Sequence, residues 1–195
     1  MKIKLLFILL MPGSFARAQT APFQLIDSIY LNWVNNYHDE KLNCDTFYYA
    51  ETFDDYTIEI VRSQFEESAV FYTSQDSATA GKIIFTPAER KYIDGQLVNL
   101  NQQQWPDKLF PRSKVIKFEQ IDIIQNSINS QKLDPLLRLC YQVYVFSHPI
   151  FLRNDSICLF YFGNTDFAVK DGEFWIYERK DSTWNKLAPV YRWIK

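Results

Sequence analysis

Residues 157–162 read ICLFYF, and this stretch decides the fold. Successive side chains of a β-strand point to opposite faces, so the odd and even positions of the stretch would lie on different sides of a sheet. Both sides are apolar here, which is typical of a strand that is covered above and below. The stretch therefore predicts a central strand. One face would carry Ile157, Leu159 and Tyr161, and the other face would carry Cys158, Phe160 and Phe162.

Two similar stretches flank it, residues 140–147 (CYQVYVFS) and residues 173–179 (EFWIYER). They are rich in the aromatic and β-branched residues that favour a pleated sheet, and turn-forming residues bound them. Because parallel neighbours need a long crossover, these short connections predict antiparallel pairing. A fourth strand is predicted at residues 184–187, with residues 190–194 closing the chain, and Pro189 between them favours an edge position or a bend.

The N-terminal and central parts of the chain have the pattern of helices. Residues 22–37 place apolar side chains at helical spacing, which predicts an amphipathic helix with one face on the sheet. Thr86-Pro87-Ala88-Glu89 has the capping-box pattern, in which the threonine accepts a hydrogen bond from the glutamate backbone N–H and the glutamate side chain reaches back. The apolar stripe that follows predicts that this helix continues to about residue 100.

The segments between these elements are shorter. A short strand is predicted at residues 47–49. Residues 56–62 alternate as a strand would, but their apolar spacing also fits a helix, and we favour a helix at residues 53–67 followed by a strand at residues 69–73 and a polar loop at residues 74–82. Further along, a strand is predicted at residues 113–118, a short helix at residues 119–125 and a polar connector at residues 126–134. Together these elements predict an α+β fold, in which an antiparallel β-sheet with a C-terminal meander is packed by N-terminal and central helices.

The first 18 residues have the pattern of an export signal. Lys2 and Lys4 give a positive start, residues 5–11 are apolar, and Ala16-Arg17-Ala18 forms an A-x-A cleavage site. The apolar run is shorter than the ~20 residues that span a bilayer, and no later segment is long and apolar enough. We therefore predict a signal peptide at residues 1–18, a single α+β domain at residues 19–195, no membrane span after signal removal, and a secreted or periplasmic location.

The charge of the chain argues against one class of partner. It carries 21 basic and 23 acidic side chains, and three of the basic ones, Lys2, Lys4 and Arg17, lie in the predicted signal peptide. A mildly acidic chain argues against nucleic acid as the main partner, because neutralising phosphate groups needs clustered Lys and Arg. We therefore predict that nucleic acid is not a partner.

Cys44, Cys140 and Cys158 are the three cysteines of the chain. An exported protein can form disulfides, and an odd count leaves at least one thiol unpaired. With the expected turn at residues 153–154, Cys140 and Cys158 are not opposite each other on neighbouring strands and would not form a disulfide. A disulfide between Cys44 and Cys140 is an alternative that the sequence allows. We favour three free, buried thiols, because unpaired cysteine is commonly buried as a small apolar side chain.

Catalytic motifs are absent from the sequence. It has no G-x-S-x-G nucleophile elbow, no P-loop and no dinucleotide-binding glycine pattern. Its two histidines are His38, expected at the end of the first helix, and His148, expected in the bend before Pro149. The sequence predicts no catalytic residue, no cofactor and no metal site. The alternative is a hydrolase whose site joins His148 to scattered carboxylates.

Aromatic residues make up 17% of the chain, which is the one unusual feature of its composition. Tyr and Trp rings have an apolar body and a polar edge, so a group of them can bind a sugar or a peptide. The candidates lie on the last predicted strands: Trp175, Tyr177, Trp184, Tyr191 and Trp193. The alternative is that these rings form the core and its rim. We predict a non-enzymatic domain that binds an unknown protein, peptide or carbohydrate.

Several short motifs resemble a known family. Residues 147–151 (SHPIF) precede the apolar strand. The strand is followed by Gly172-Glu173 and then by Trp184, which lies two residues before the basic Lys186. The helix start at residues 86–93 is also similar. These motifs resemble an uncharacterised family of small exported proteins of Bacteroidetes-type bacteria. The resemblance implies export and the fold described above, but no activity, because none is established for the family.

One segment departs from the pattern of that family. Relatives often place a Gly- and Cys-rich segment between the two strands, whereas residues 163–170 of this chain read GNTDFAVK and contain no cysteine. Any role of that segment in the family is therefore not expected to transfer to this protein.

Overall fold

A β-sheet with helices on both faces organises the protein, in a computed structural model that describes residues 21–37, 44–73, 81–130, 139–165, 170–181 and 183–194. The helices are α1 (Ala21–Tyr37), α2 (Asp55–Glu67), α3 (Pro87–Leu97) and α4 (Phe118–Ser130). The strands are β1 (Phe47–Ala50), β2 (Val70–Tyr72), β3 (Lys82–Ile84), β4 (Ser113–Ile116), β5 (Val143–Phe146), β6 (Ile150–Leu152), β7 (Ile157–Thr165), β8 (Lys170–Lys180) and β9 (Thr183–Ile194). Short 3-10 helices lie at Leu100–Gln102 and Leu139–Tyr141.

Seven of the described strands form one sheet in the order β4-β1-β5-β7-β8-β9, with β6 pairing β7. From β5 to β9 every pairing is antiparallel, which confirms the C-terminal meander and the α+β class. β1 is instead parallel to both of its neighbours, β4 and β5, because long connections containing helices separate these strands along the chain. β2 and β3 pair as a separate antiparallel hairpin.

β7 lies in the middle of the sheet and is buried on both faces, as the sequence predicts. One face packs against α2, α3 and the β2–β3 hairpin, and we call this apolar layer the α2–α3 core. The other face packs against α1, and we call this layer the α1 core. The side chains divide by parity: Ile157, Leu159 and Tyr161 lie in the α2–α3 core, and Cys158, Phe160 and Phe162 lie in or against the α1 core.

α1 is the amphipathic helix predicted at residues 22–37. Its Ile26 and Trp33 side chains are buried against the sheet. The Tyr30 ring stacks on Phe110 with 4.6 Å between ring centroids, and the Tyr30 hydroxyl donates to the Pro111 carbonyl at 2.7 Å. Because a helix in a protein is stabilised mostly by the packing of its apolar face, these contacts determine where α1 lies.

The start of α3 confirms the predicted capping box. The Glu89 backbone N–H donates to Thr86 Oγ1 at 3.2 Å, and the Thr86 N–H donates to Glu89 Oε2 at 2.8 Å. Arg153, in the β6–β7 turn, donates to Glu89 Oε1 at 2.7 Å and to the Ile84 carbonyl at 2.6 Å. The hydrogen bond from Arg153 is the largest cause that lowers the pKa of Glu89 to about 2. The helix start is thus linked to the turn that leads into β7.

Replacing Thr86 by alanine should lower the free energy of unfolding by about 1 kcal/mol, because the Glu89 N–H loses its acceptor. Thr86→Ser keeps the hydroxyl and should stay within about 0.5 kcal/mol of the wild type. Urea unfolding measures both variants. An unchanged midpoint for Thr86→Ala would contradict this account of the helix start.

Two segments differ from the sequence prediction on the α2–α3 side. The predicted polar loop at residues 74–82 is too long, because Lys82 already begins β3, which pairs with β2 and buries Ile83 in the α2–α3 core. The predicted connector at residues 126–134 is wrong for residues 126–130, since α4 continues to Ser130. In both places contacts within the fold extend an element into polar sequence.

β6 is a strand that the sequence analysis does not predict. Ser147 directly follows β5, and its Oγ accepts the Tyr161 N–H at 3.0 Å while its own N–H donates to the Tyr161 carbonyl at 3.2 Å. After Pro149 the chain resumes pairing with β7, so that Phe151 faces Cys158. The hairpin turn is therefore centred one residue later than the predicted turn at residues 153–154.

β9 confirms the edge position predicted from Pro189. The strand is continuous from Thr183 to Ile194 and is the last in the sheet. Pro189 is exposed, and the ladder with β8 shifts register on either side of it, between Phe174 and Trp175 and between Ile176 and Tyr177. Proline and bulges of this kind are typical of an edge strand, where a missing N–H breaks no ladder bond.

A disulfide joins Cys44 to Cys140, with 5.0 Å between their Cα atoms. The expectation of three free thiols is therefore wrong, and Cys158 alone among the described cysteines is free, in a buried position. Each bonded cysteine lies three residues before its strand, β1 or β5, and these strands are parallel neighbours. Parallel pairing thus brings the two cysteines together, across a sequence separation of 96 residues.

Removing this disulfide should destabilise the protein, because the bond restricts the unfolded chain over a long loop. The double variant Cys44→Ala, Cys140→Ala should lose about 2–5 kcal/mol of unfolding free energy. Thiol titration of the denatured, unreduced protein should detect one free thiol. A count of three thiols would show that the bond does not form.

Residues 1–20 lie outside the described residues, so the signal peptide at residues 1–18 and the single domain at residues 19–195 stay predictions. His38 and residues 166–169 also lie outside them. In the part of the chain that the structure describes, no helix has the length and apolar character that crossing a membrane requires.

Candidate functional site

A groove of about 310 Å³ opens between α1 and the sheet, and we call it the α1 groove. This volume lies at the lower end of the range for ligand pockets. The helix contributes Leu25, Ser28, Ile29 and Asn32 to its walls. The sheet contributes the rings of Tyr144, Phe160, Phe162, Tyr177 and Trp184, together with Lys186.

The groove forms where the α1 layer ends before the edge of the sheet. On the β1 side the helix packs closely, with the Trp33 ring edge-on to Phe47 at 5.4 Å between centroids. Towards β8 and β9 the aromatic residues Phe162, Trp175 and Trp184 are only half-buried against the α1 core. The fold thus leaves apolar rings partly uncovered beside a helix that could hold a ligand against them.

One wall of the groove contains an unpaired hydrogen-bond donor. Trp184 packs against Phe151, with 5.7 Å between ring centroids, and the Arg179 guanidinium lies 5.9 Å from its ring centroid. The indole Nε1 of Trp184 is buried and has no hydrogen-bond partner among the described residues. Leaving a buried donor unsatisfied costs about 1–3 kcal/mol. Because this atom is buried, the Trp184 ring has to turn before an acceptor on a bound ligand can reach the N–H and remove that cost.

Beside the groove, one carboxylate lies between two cations. Glu173 forms ion pairs with Lys186 at 2.5 Å and with Arg192 at 2.9 Å, and it accepts the Trp175 indole N–H at 2.9 Å. Burial alone would raise the pKa of Glu173, but the hydrogen bonds from Lys186 and Trp175 and the two positive charges outweigh it and hold the pKa below its usual value. Since one acidic group meets two basic ones, this cluster keeps a net positive charge.

The structure places the four aromatic candidates whose side chains it describes on both faces of the sheet. Tyr177 and Trp184 line the α1 groove. Trp175 shares their face but lies under the Lys186 ammonium, 4.6 Å from its ring centroid. Tyr191 packs against the α2–α3 core on the opposite face. Trp193 pairs through its backbone with Gly172 in the β8–β9 ladder, and its side chain lies outside the described positions.

A second groove, of about 410 Å³, lies on the α2–α3 side of the sheet beneath α4. Residues 131–138, which join α4 to Leu139–Tyr141, lie outside the described residues. The lining residues of this groove are Tyr48, Lys114, Ile116, Ile123, Ile124, Ser127, Tyr141 and Val143.

His148 lies against an aromatic ring rather than beside an acid. Its imidazole stacks on Trp105 with 3.8 Å between centroids and 4° between ring planes. No described carboxylate forms a hydrogen bond or ion pair with it, and its buried Nε2 has no hydrogen-bond partner within the described ranges. The hydrolase arrangement, in which His148 meets an Asp or Glu, is thus not formed among the described residues. Burial lowers the pKa of His148 to about 4.

Stability should fall when the pH drops below about 6.5, because the unfolded chain then protonates His148 while the folded protein does not until about pH 4. His148→Gln removes this difference. Between pH 7 and pH 5 the wild type should lose about 1 kcal/mol more unfolding free energy than the variant, a figure reduced for the partial exposure of the ring. Urea unfolding of both proteins at both pH values measures this difference. Equal losses of unfolding free energy in the wild type and in His148→Gln would contradict a buried, neutral histidine.

Sequence reasoning does not identify the polar residues of the α1 groove. Lys186 follows Trp184 by two positions, so their shared face could be inferred from the alternation of β9. The neighbours Glu173 and Arg192 emerge only from the register of β8 with β9, which a bulge shifts. In the described ranges, no group of three His, Cys, Asp or Glu side chains could hold a metal ion.

The chain matches no protein-family model, and comparisons with curated proteins and with solved structures give no significant match. The family resemblance noted from the sequence therefore stays a prediction. Function is inferred from the site itself, because a fold alone does not define an activity.

Proposed function

We propose that this protein is an exported, non-enzymatic binding domain whose ligand is a peptide segment that enters the α1 groove. The observation that carries the proposal is the groove itself, with rings on its floor and the unpaired Trp184 indole N–H beside it. Ligand sites are generally concave and mostly apolar, with a few polar groups that orient the ligand.

The parts of the groove differ in what they offer a ligand. Phe160 and Tyr177 are core residues, 1% and 8% exposed, and form the floor. Phe162, Trp184 and Ile29 are half-buried and present the apolar surface that a ligand would cover. Covering such surface contributes about 25 cal/mol per Å².

A peptide side chain suits this groove better than a carbohydrate does. A sugar stacks on the open face of an aromatic ring, whereas the face of Trp175 is covered by Lys186 and the ring of Trp184 is engaged by Phe151 and Arg179. Apolar side chains need no open face, because they gain from any apolar surface they cover. The binding class is therefore peptide rather than sugar.

Two observations support an exported location. Residues 1–18 have the pattern of a signal peptide, and the bond between Cys44 and Cys140 is of a kind that persists in oxidising compartments. We therefore propose that the protein is secreted or periplasmic.

The proposal is tested by titrating the protein with a library of N-acetylated alanine-based hexapeptides that each carry one phenylalanine, leucine or serine. Peptides with phenylalanine or leucine should shift NMR signals of Ile29, Phe162 and Trp184. Ser28→Tyr adds a ring at an exposed helix position in the groove and should weaken binding about tenfold or more.

Ser127→Tyr is the matched control, because Ser127 is an exposed helix residue that lines the second groove. It should leave binding unchanged. Equal effects of the two tyrosine variants, or peptide-induced shifts confined to other surfaces, would count against the α1 groove as the binding site. Saturable binding of maltohexaose or xylohexaose there, without peptide binding, would contradict the choice of ligand class.

A further inference from the structure

We propose that the α1 groove takes the carboxyl-terminal end of its peptide ligand, with the free carboxylate paired to Lys186 and the last side chain, an apolar one, against the rings. This inference rests on the proposed function and specifies its ligand. It follows from the charge of the groove, from the unpaired donor and from the spacing of one lysine and one ring across β8 and β9.

The charge of the groove favours an anion. Among the described residues that line it, Lys186 is the one with a charge, and 48% of its side chain is exposed. Its partner Glu173 is shared with Arg192, so the cluster keeps a net positive charge. This positive region lies in a chain whose formal net charge is −2, and an anionic group complements it.

The adjacent donor favours a carboxylate over an isolated negative charge. Trp184 lies on the same strand and face as Lys186, two residues away, and its buried indole N–H has no partner among the described residues. A carboxylate has two oxygens that accept hydrogen bonds, so one can pair with the ammonium while the other accepts the indole N–H once the ring turns toward the groove. Hydrogen bonds to a charged acceptor are stronger than those between neutral groups.

The spacing of the lysine and the ring favours a chain terminus over an acidic side chain. Tyr177 and Lys186 are Cα partners on β8 and β9, which places their Cβ atoms about 5 Å apart. The last residue of a peptide carries its carboxylate and its side chain on one Cα atom, so it can contact both at once. An internal Asp or Glu brings a charge but no apolar group from the same Cα.

The experiment compares two N-acetylated pentapeptides of four alanines followed by phenylalanine, one with a free carboxylate and one with a carboxamide. The free acid should bind about tenfold or more tightly, as followed by isothermal calorimetry and by tryptophan fluorescence. Lys186→Gln should abolish this difference, and Lys186→Arg should retain most of it. High salt should reduce it in the wild type.

Lys180→Gln is the matched control. Lys180 is a lysine at the C-terminal end of β8 that also pairs with a glutamate, Glu178, but it does not line the groove. It should leave the preference for the free acid intact. Circular dichroism and urea unfolding of each variant distinguish a lost contact from a lost fold.

Equal affinity of acid and amide in the wild type would overturn the carboxylate inference while leaving peptide binding in the groove intact. Absence of binding by both peptides and by the whole hexapeptide library would overturn both proposals. Binding that weakens as the protein self-associates at higher concentration would show that a second copy fills the groove, and would also overturn the inference.

Discussion

The burial of β7 on both of its faces is the constraint on which the rest of the structure depends. A strand that is apolar at six consecutive positions, residues 157–162, must be covered on both faces, so the chain has to supply two layers. The α2–α3 core and the α1 core are those layers, and Leu159 and Phe160, neighbours in sequence, are 0% and 1% exposed in opposite ones. Strands β5, β6 and β8 then complete the hydrogen bonding of β7 along its two edges.

The two layers differ in how far they extend, and this difference creates the groove. The α2–α3 side is closed by two helices and a hairpin that reach the last strand, where Ala188 and Val190 are buried. The α1 side has one described helix, which leaves Phe162 and Trp184 half-covered. The region beyond the helix holds the ion-pair cluster around Glu173. Near β8 and β9 the sheet therefore carries a closed core on its α2–α3 face and an accessible, positively charged groove on its α1 face.

Local patterns in the sequence predict the elements that depend on local physics. The alternation of β7 and β8, the capping box at Thr86 and the edge position of Pro189 are each specified by a few consecutive residues. The parallel placement of β1 beside β4 and β5, and the bond from Cys44 to Cys140, depend on contacts between distant segments. The alternation of side chains along a strand predicts that Trp184 and Tyr177 lie on the opposite face from the residues next to them in sequence. It does not predict how much of these two rings α1 covers. For that reason the aromatic candidates could be named from the sequence, while the groove could not.

Native-state hydrogen exchange followed by NMR tests the central role of β7 most directly. If this strand is the doubly covered centre of the fold, the amides of residues 158–162 should exchange only when the whole protein unfolds. Their free energies of exchange should then equal the free energy of unfolding from urea denaturation. Exchange of these amides as fast as that of the exposed turn at residues 154–156 would contradict the account.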